Sequence, residues 1–131
     1  MIDNNITKIV ADYVRAINKH SIDNIVAKLS DNHLFIDSLG QEFKGSQTMR
    51  EGWLGYFEWF PDYQIDYLEV FQNDNIVMIN RHASACYRGD KTKHWRIPAV
   101  FRAKVEYGLI AEWQVFADNR PAYEQLAGKI E

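Results

Sequence analysis

The chain has 131 residues, a formal net charge of −3 and no basic block. That leaves room for a single domain over 1–131 and argues against nucleic acid or an anionic membrane surface as the main partner. Cys86 is the only cysteine, which excludes an internal disulfide and a Cys-rich zinc site. No stretch approaches the roughly 18 apolar residues of a membrane-spanning helix, and Met1–Asn5 lacks the character of a signal peptide, so a cytoplasmic protein is expected.

Ile6, Ile9, Val10, Tyr13, Val14 and Ile17 recur at the spacing of one helical face, with Asp3 to Asn5 as candidate caps. Ser21 is a good N-cap for a second, shorter helix marked by Ile22, Ile25, Val26 and Leu29. Ser30–Asn32 reads as a turn and His33–Asp37 as a first strand, with a short return strand over Gln41–Lys44. A third helix opens at Gly45-Ser46, carries Met49, Trp53, Tyr56, Phe57 and Phe60 on one side, and ends at Pro61.

Four long strand-like runs follow, Tyr63–Gln72, Ile76–Tyr87, Trp95–Val105 and Leu109–Asp118, and one or two helical turns over Ala122–Leu126 close the chain. Helices first and a long antiparallel meander afterwards predict an α+β fold, a cone-shaped and strongly curved sheet packed over the three helices of the N-terminal half. Along Trp95–Val105 one face is strongly apolar and the other is mixed. The outer face is therefore expected to be a homodimer interface.

Asp37 is a lone carboxylate in the apolar run Leu34–Asp37, where a strand disfavours it and its neighbours strip its hydration. It is either a pocket acid or base or the side chain that closes the Ser38–Gly40 turn. Asp118 is a second candidate acid or a helix cap, and Tyr13 is a pocket donor or a core tyrosine. Phe35, Trp53, Phe57 and Trp113 are candidate pocket walls. His82 belongs to a polar file with Asn80, Ser84 and Cys86 that lines the pocket or faces solvent. No histidine pair has metal-ligand spacing and no Gly-rich phosphate loop occurs, so neither a metal nor a cofactor is expected.

Ala11–Asn18, Ile22–Val26 and Phe35–Gly40 resemble the opening of a ketosteroid isomerase. Phe60–Tyr63, Trp113 with Asp118, and Gln125-Leu126 look like the SnoaL-like polyketide cyclases, within the same nuclear transport factor two-like superfamily. The resemblance implies a small hydrophobic ligand and cofactor-independent proton transfer beside a carbonyl, as in an isomerase or cyclase. In the isomerases the aspartate matching Asp37 is the general base and a tyrosine matching Tyr13 is one of two donors to the enolate oxygen, the second being a neutral aspartic acid on a late strand. Trp95–Lys104 holds no carboxylate. Val100 stands in that second place if Pro98 anchors the comparison, and Ala99 if Phe101-Arg102 does. In the cyclases the acid-base aspartate matches Asp118. A non-catalytic ligand-binding or dimerisation module of the same fold is the alternative, and water addition to an epoxide would need a clustered Asp-Arg-Asp set, with Arg96 and Arg102 as candidates.

Overall fold

The apolar stripe of the first helix becomes the floor of the molecule: α1 (Asn4–Asn18) buries Val10, Tyr13, Val14 and Ile17. The computed structural model describes residues 4–128, so Asp3 lies outside them. His20 takes a left-handed φ of 55° at the bend into α2 (Ile22–Ala27), and its ring stacks on Phe57 at 4.2 Å. Ser21 occupies the N-cap of α2 without a side-chain capping bond. The Asn18 side chain ties the end of α1 to the sheet as a strand neighbour would, accepting from the Ile65 N–H at 2.7 Å and donating to the Ile65 carbonyl at 2.9 Å.

The remaining elements are β1 (Leu29–Ile36), β2 (Glu42–Lys44), α3 (Ser46–Trp59), β3 (Gln64–Asn73), β4 (Ile76–Cys86), β5 (His94–Glu106), β6 (Leu109–Ala117) and α4 (Arg120–Gly128). The α3 helix is entered through Gly45, whose φ of 99° suits glycine, so Gly45 and not Ser46 is the residue at the N-cap. Ser30–Asn32 is not a free turn. It is absorbed into β1 as a register irregularity, in which β1 advances from Leu29 to Leu34 while β6 advances only from Ile110 to Glu112.

The six strands lie in the order β2-β1-β6-β5-β4-β3, antiparallel throughout except where β1 runs parallel to β6. This is the expected α+β arrangement, a curved and mostly antiparallel sheet wrapped over helices from the N-terminal half. Alternation in β5 sends Trp95, Ile97, Ala99, Phe101, Ala103 and Val105 inward. Among the described residues no helix is long and apolar enough to cross a membrane.

His33 is the one polar residue in the buried core of the described chain. Its Nδ1–H donates to the Ile110 carbonyl at 2.8 Å, while Nε2 finds no partner among the described residues. Burial lowers its pKa, with the Ile110 carbonyl working against that shift. A histidine held neutral in the fold but free to charge when unfolded takes up a proton on unfolding below the ordinary value of about 6.5. Its contribution is therefore intact above that pH and is lost as pH falls toward the lowered folded value. In denaturant titrations, the stability advantage of wild type over His33→Leu is expected to shrink by up to about 1.4 kcal/mol per pH unit on acidification below about pH 6.5. A constant difference would show that His33 does not supply this acid sensitivity.

Candidate functional site

The concave side of the sheet and the inner face of α3 enclose a cavity of about 300 Å³. Its wall combines Phe35 and Phe43 from the first hairpin, Met49, Trp53, Tyr56 and Trp59 from α3, Trp95 and Ile97 from β5, and Trp113 and Val115 from β6. All four tryptophans of the chain lie on this wall. Trp59 and Tyr123 remain 41% and 42% exposed, which places them at the mouth.

Asp37 lies on that wall. Phe35 and Asp37 share strand parity, and Phe35 pairs in register with Trp113, so the parallel pairing of β1 with β6 carries the carboxylate in beside β6. Its Oδ1 accepts from the backbone N–H groups of Leu39 and Gln41, both at 2.9 Å. Oδ2 has no hydrogen-bond partner among the described residues. One oxygen thus closes the turn and fixes the side chain, and the other keeps no hydrogen bond to a described residue. Next to it, the Asn119 amide donates to the Ser38 hydroxyl at 2.6 Å, tying the turn after β1 to the residue that follows β6.

Asp118 lies elsewhere. It has the strand parity of the half-exposed Phe116, and its carboxylate is held by Arg120 through the side chain at 2.6 Å and the backbone N–H at 3.1 Å. The Arg120 hydrogen bonds hold this carboxyl below the usual range. Asp118 is not among the cavity-lining residues, and its local bonds all run to Arg120, the first residue of α4.

Tyr13 is fully buried and is absent from the wall. Its ring meets Trp113 edge-on at 5.0 Å. Burial pushes its hydroxyl well above the ordinary range, with the neighbouring Trp53 N–H opposing the shift. Yet neither the Tyr13 hydroxyl nor the Trp53 N–H reaches hydrogen-bonding geometry with any described residue.

Three further pocket candidates lie off this wall. Phe57 stacks between Trp53 and His20, behind the wall and not on it. His82 and Val100 lie on the outer, convex face: His82 shares a bond with Arg96 at 3.1 Å, and Val100 pairs with Phe116. Since β5 alternates, the inward residue at this level is Ala99, which offers only a methyl group. Neither arginine proposed for epoxide opening lines the cavity, for Arg96 approaches Asp66 at 3.6 Å and Arg102 pairs with Glu112 at 2.9 Å. Unforeseen wall residues include Tyr63, Trp95 and Asn119. The parity of Trp95 with the apolar face of β5 was the available signal for it. Nothing local marked Asn119.

The SnoaL-like domain model matches residues 10–113. The chain belongs to the SnoaL-like domain family. No curated protein sequence matches it. A Shewanella denitrificans protein named as a SnoaL-like polyketide cyclase superposes with a TM-score of 0.80 at 14% identity, covering 94% of this chain and 97% of the other. An LEH-like epoxide hydrolase of M. tuberculosis gives 0.80 at 12% identity, over 95% and 90%. A Catenulispora acidiphila protein of ketosteroid isomerase-like fold, in complex with trimethylamine, gives 0.74 at 12% identity, over 82% and 83%. Identities this low establish a shared fold and nothing finer.

An unsatisfied buried hydroxyl costs roughly 1–3 kcal/mol. Tyr13→Phe is accordingly expected to leave the fold intact and to raise unfolding stability by about 1 kcal/mol in denaturant titrations. A loss of stability would mean that the hydroxyl has a partner.

Proposed function

We propose that this SnoaL-like protein binds a small, largely apolar molecule in the cone and that Asp37 is the group that moves a proton on it, at a carbon beside a carbonyl. One observation carries this reading: the cavity's carboxylate has one oxygen anchored by two backbone N–H groups and the other unengaged, on a wall that is otherwise aromatic and aliphatic. The anchored oxygen holds the group in place, and Oδ2 takes the proton from one carbon and returns it to another.

The developing enolate oxygen needs a donor, and the wall offers neutral ones. Burial pushes the hydroxyls of Tyr56 and Tyr63 well above the ordinary range, so both stay protonated as donors. They take the place that the resemblance assigned to Tyr13. The cyclase and epoxide hydrolase among the structural neighbours support an enzyme of this fold, and the trimethylamine complex supports one that takes a small ligand.

The second reading, a ligand-binding module without chemistry, is favoured by the burial of Tyr13 away from the wall and by the alanine at the inward position of β5. The two separate in a turnover screen over small cyclic carbonyl compounds. Asp37→Asn is expected to lower kcat about a hundredfold or more, while Asp118→Asn leaves it unchanged. Full activity in Asp37→Asn would end the proton-transfer mechanism, and bound compounds that never turn over would favour the module.

We also propose that a second copy of the chain covers the outer sheet face. Phe71, Met78 and Phe116 are exposed there around Val100, flanked by paired charges of both signs in Asp66–Arg96 and Arg102–Glu112. A patch with an apolar centre and balanced charges at its edge can meet itself across a two-fold axis without like-charge repulsion. Sedimentation is expected to give a dimer for wild type and a monomer for Phe116→Glu. A monomeric wild type would overturn the assignment.

A further inference from the structure

Asp37 is the sole formally charged side chain among the described residues of the cavity wall, which holds no lysine, arginine or histidine. Basic groups on the adjoining elements are engaged or turned away. Arg120 closes on Asp118, Arg50 of α3 pairs with Asp23 at 2.9 Å, and the His20 Nε2–H donates to the Tyr63 carbonyl at 2.7 Å. Lys44 is exposed and has the opposite strand parity to Phe43, which lines the wall. The negative charge at Oδ2 therefore has no internal counter-charge on this wall.

Two features then favour the same kind of ligand. Asp37 is half-buried on a wall that is otherwise aromatic and aliphatic, and a charge beside such a wall is screened less than it would be in open water. The same wall carries all four tryptophans, the side chain that attracts ammonium groups best. An anionic ligand is repelled by Oδ2, and a neutral one brings no charge to meet it.

We propose that the ligand of this cavity is an organic cation, an ammonium or iminium group on a compact apolar body. The positive nitrogen sits at Asp37 Oδ2 and the body lies among Trp53, Trp95 and Trp113. This rests on the reading of the cavity as a ligand site with Asp37 as its proton carrier, and it puts a C=N⁺ group where that reading has the carbonyl, so Tyr56 and Tyr63 are not needed as oxyanion donors.

The charge also supplies something the wall lacks. No cationic group stands ready to hold the electron pair left behind when a C–H proton moves to Asp37. If the reacting carbon lies next to a C=N⁺ group, its proton goes to Oδ2 and the C–H pair becomes the new C=C bond. The C=N π pair closes onto nitrogen, and the product is a neutral enamine with no oxyanion to stabilise. The same carboxyl then returns the proton to carbon.

The test uses benzyltrimethylammonium, whose charge does not vary with pH, and neopentylbenzene, its neutral carbon isostere. Binding is read by tryptophan fluorescence, since all four tryptophans line the cavity. In low salt the cation is expected to bind wild type at least about tenfold more tightly than the isostere. In Asp37→Asn, whose side-chain oxygen still accepts from Leu39 and Gln41, that preference is expected to disappear while the isostere binds as before, which also reports an intact pocket. Equal binding of both probes by wild type, or a preference that survives Asp37→Asn, overturns the cation proposal and leaves the apolar ligand site standing. Absence of binding by either probe overturns both.

Discussion

The parallel pairing of β1 with β6 is the contact on which the site depends. It sets Phe35 against Trp113 and Ile36 against Gln114, and so brings a hairpin from the first third of the chain beside its last strand. Parallel neighbours cannot be joined by a tight turn, and here everything from β2 to β5 forms the connection. Closing so long a loop costs entropy before any contact repays it. The repayment comes from the apolar wall that forms on closure and from the Asn119–Ser38 bond at the rim.

Strand parity then sorts side chains between two environments. Along β5 and β6 the odd-numbered residues from Trp95 to Ala103 and from Trp113 to Ala117 face the helices, while Val100, Arg102, Gln114 and Phe116 face outward. A shift of one residue exchanges the two faces. That is why Asp118, one residue beyond the inward Ala117, ends in an ion pair with Arg120, and why Asn119, one residue further, returns to the cavity. The charges follow the same division: ion pairs collect on the convex face and the cavity keeps one carboxylate.

Polar groups that leave the surface either bond the sheet backbone or go without a partner. The half-buried Asn18 and the Nδ1 side of the buried His33 bond the backbone of the sheet and lock a helix and a strand to it. The Tyr13 hydroxyl and the indole N–H groups of Trp53 and Trp95 have no partner among the described residues. Clustered donors without acceptors are costly, and all three rings belong to the packing beneath the cavity or to its wall. The large apolar area of these rings offsets what their polar atoms lose.

Local periodicity by itself determined the elements of this protein: the amphipathic stripe of α1, the aromatic side of α3 stopped by Pro61, and four long strands whose observed limits fall within a residue or two of those expected. It also marked Asp37, because a carboxylate in an apolar run stands out without any knowledge of the fold. Facing was decided by tertiary structure. Whether Asp118 or Asn119, Val100 or Ala99, Phe57 or Tyr56 reaches the cavity depends on strand register and helix rotation, which are fixed by contacts between residues far apart in the chain. The free oxygen of Asp37 is of the same kind. Its acidity is written in one residue, but its lack of a counter-charge arises from where every neighbouring lysine, arginine and histidine was carried by the fold.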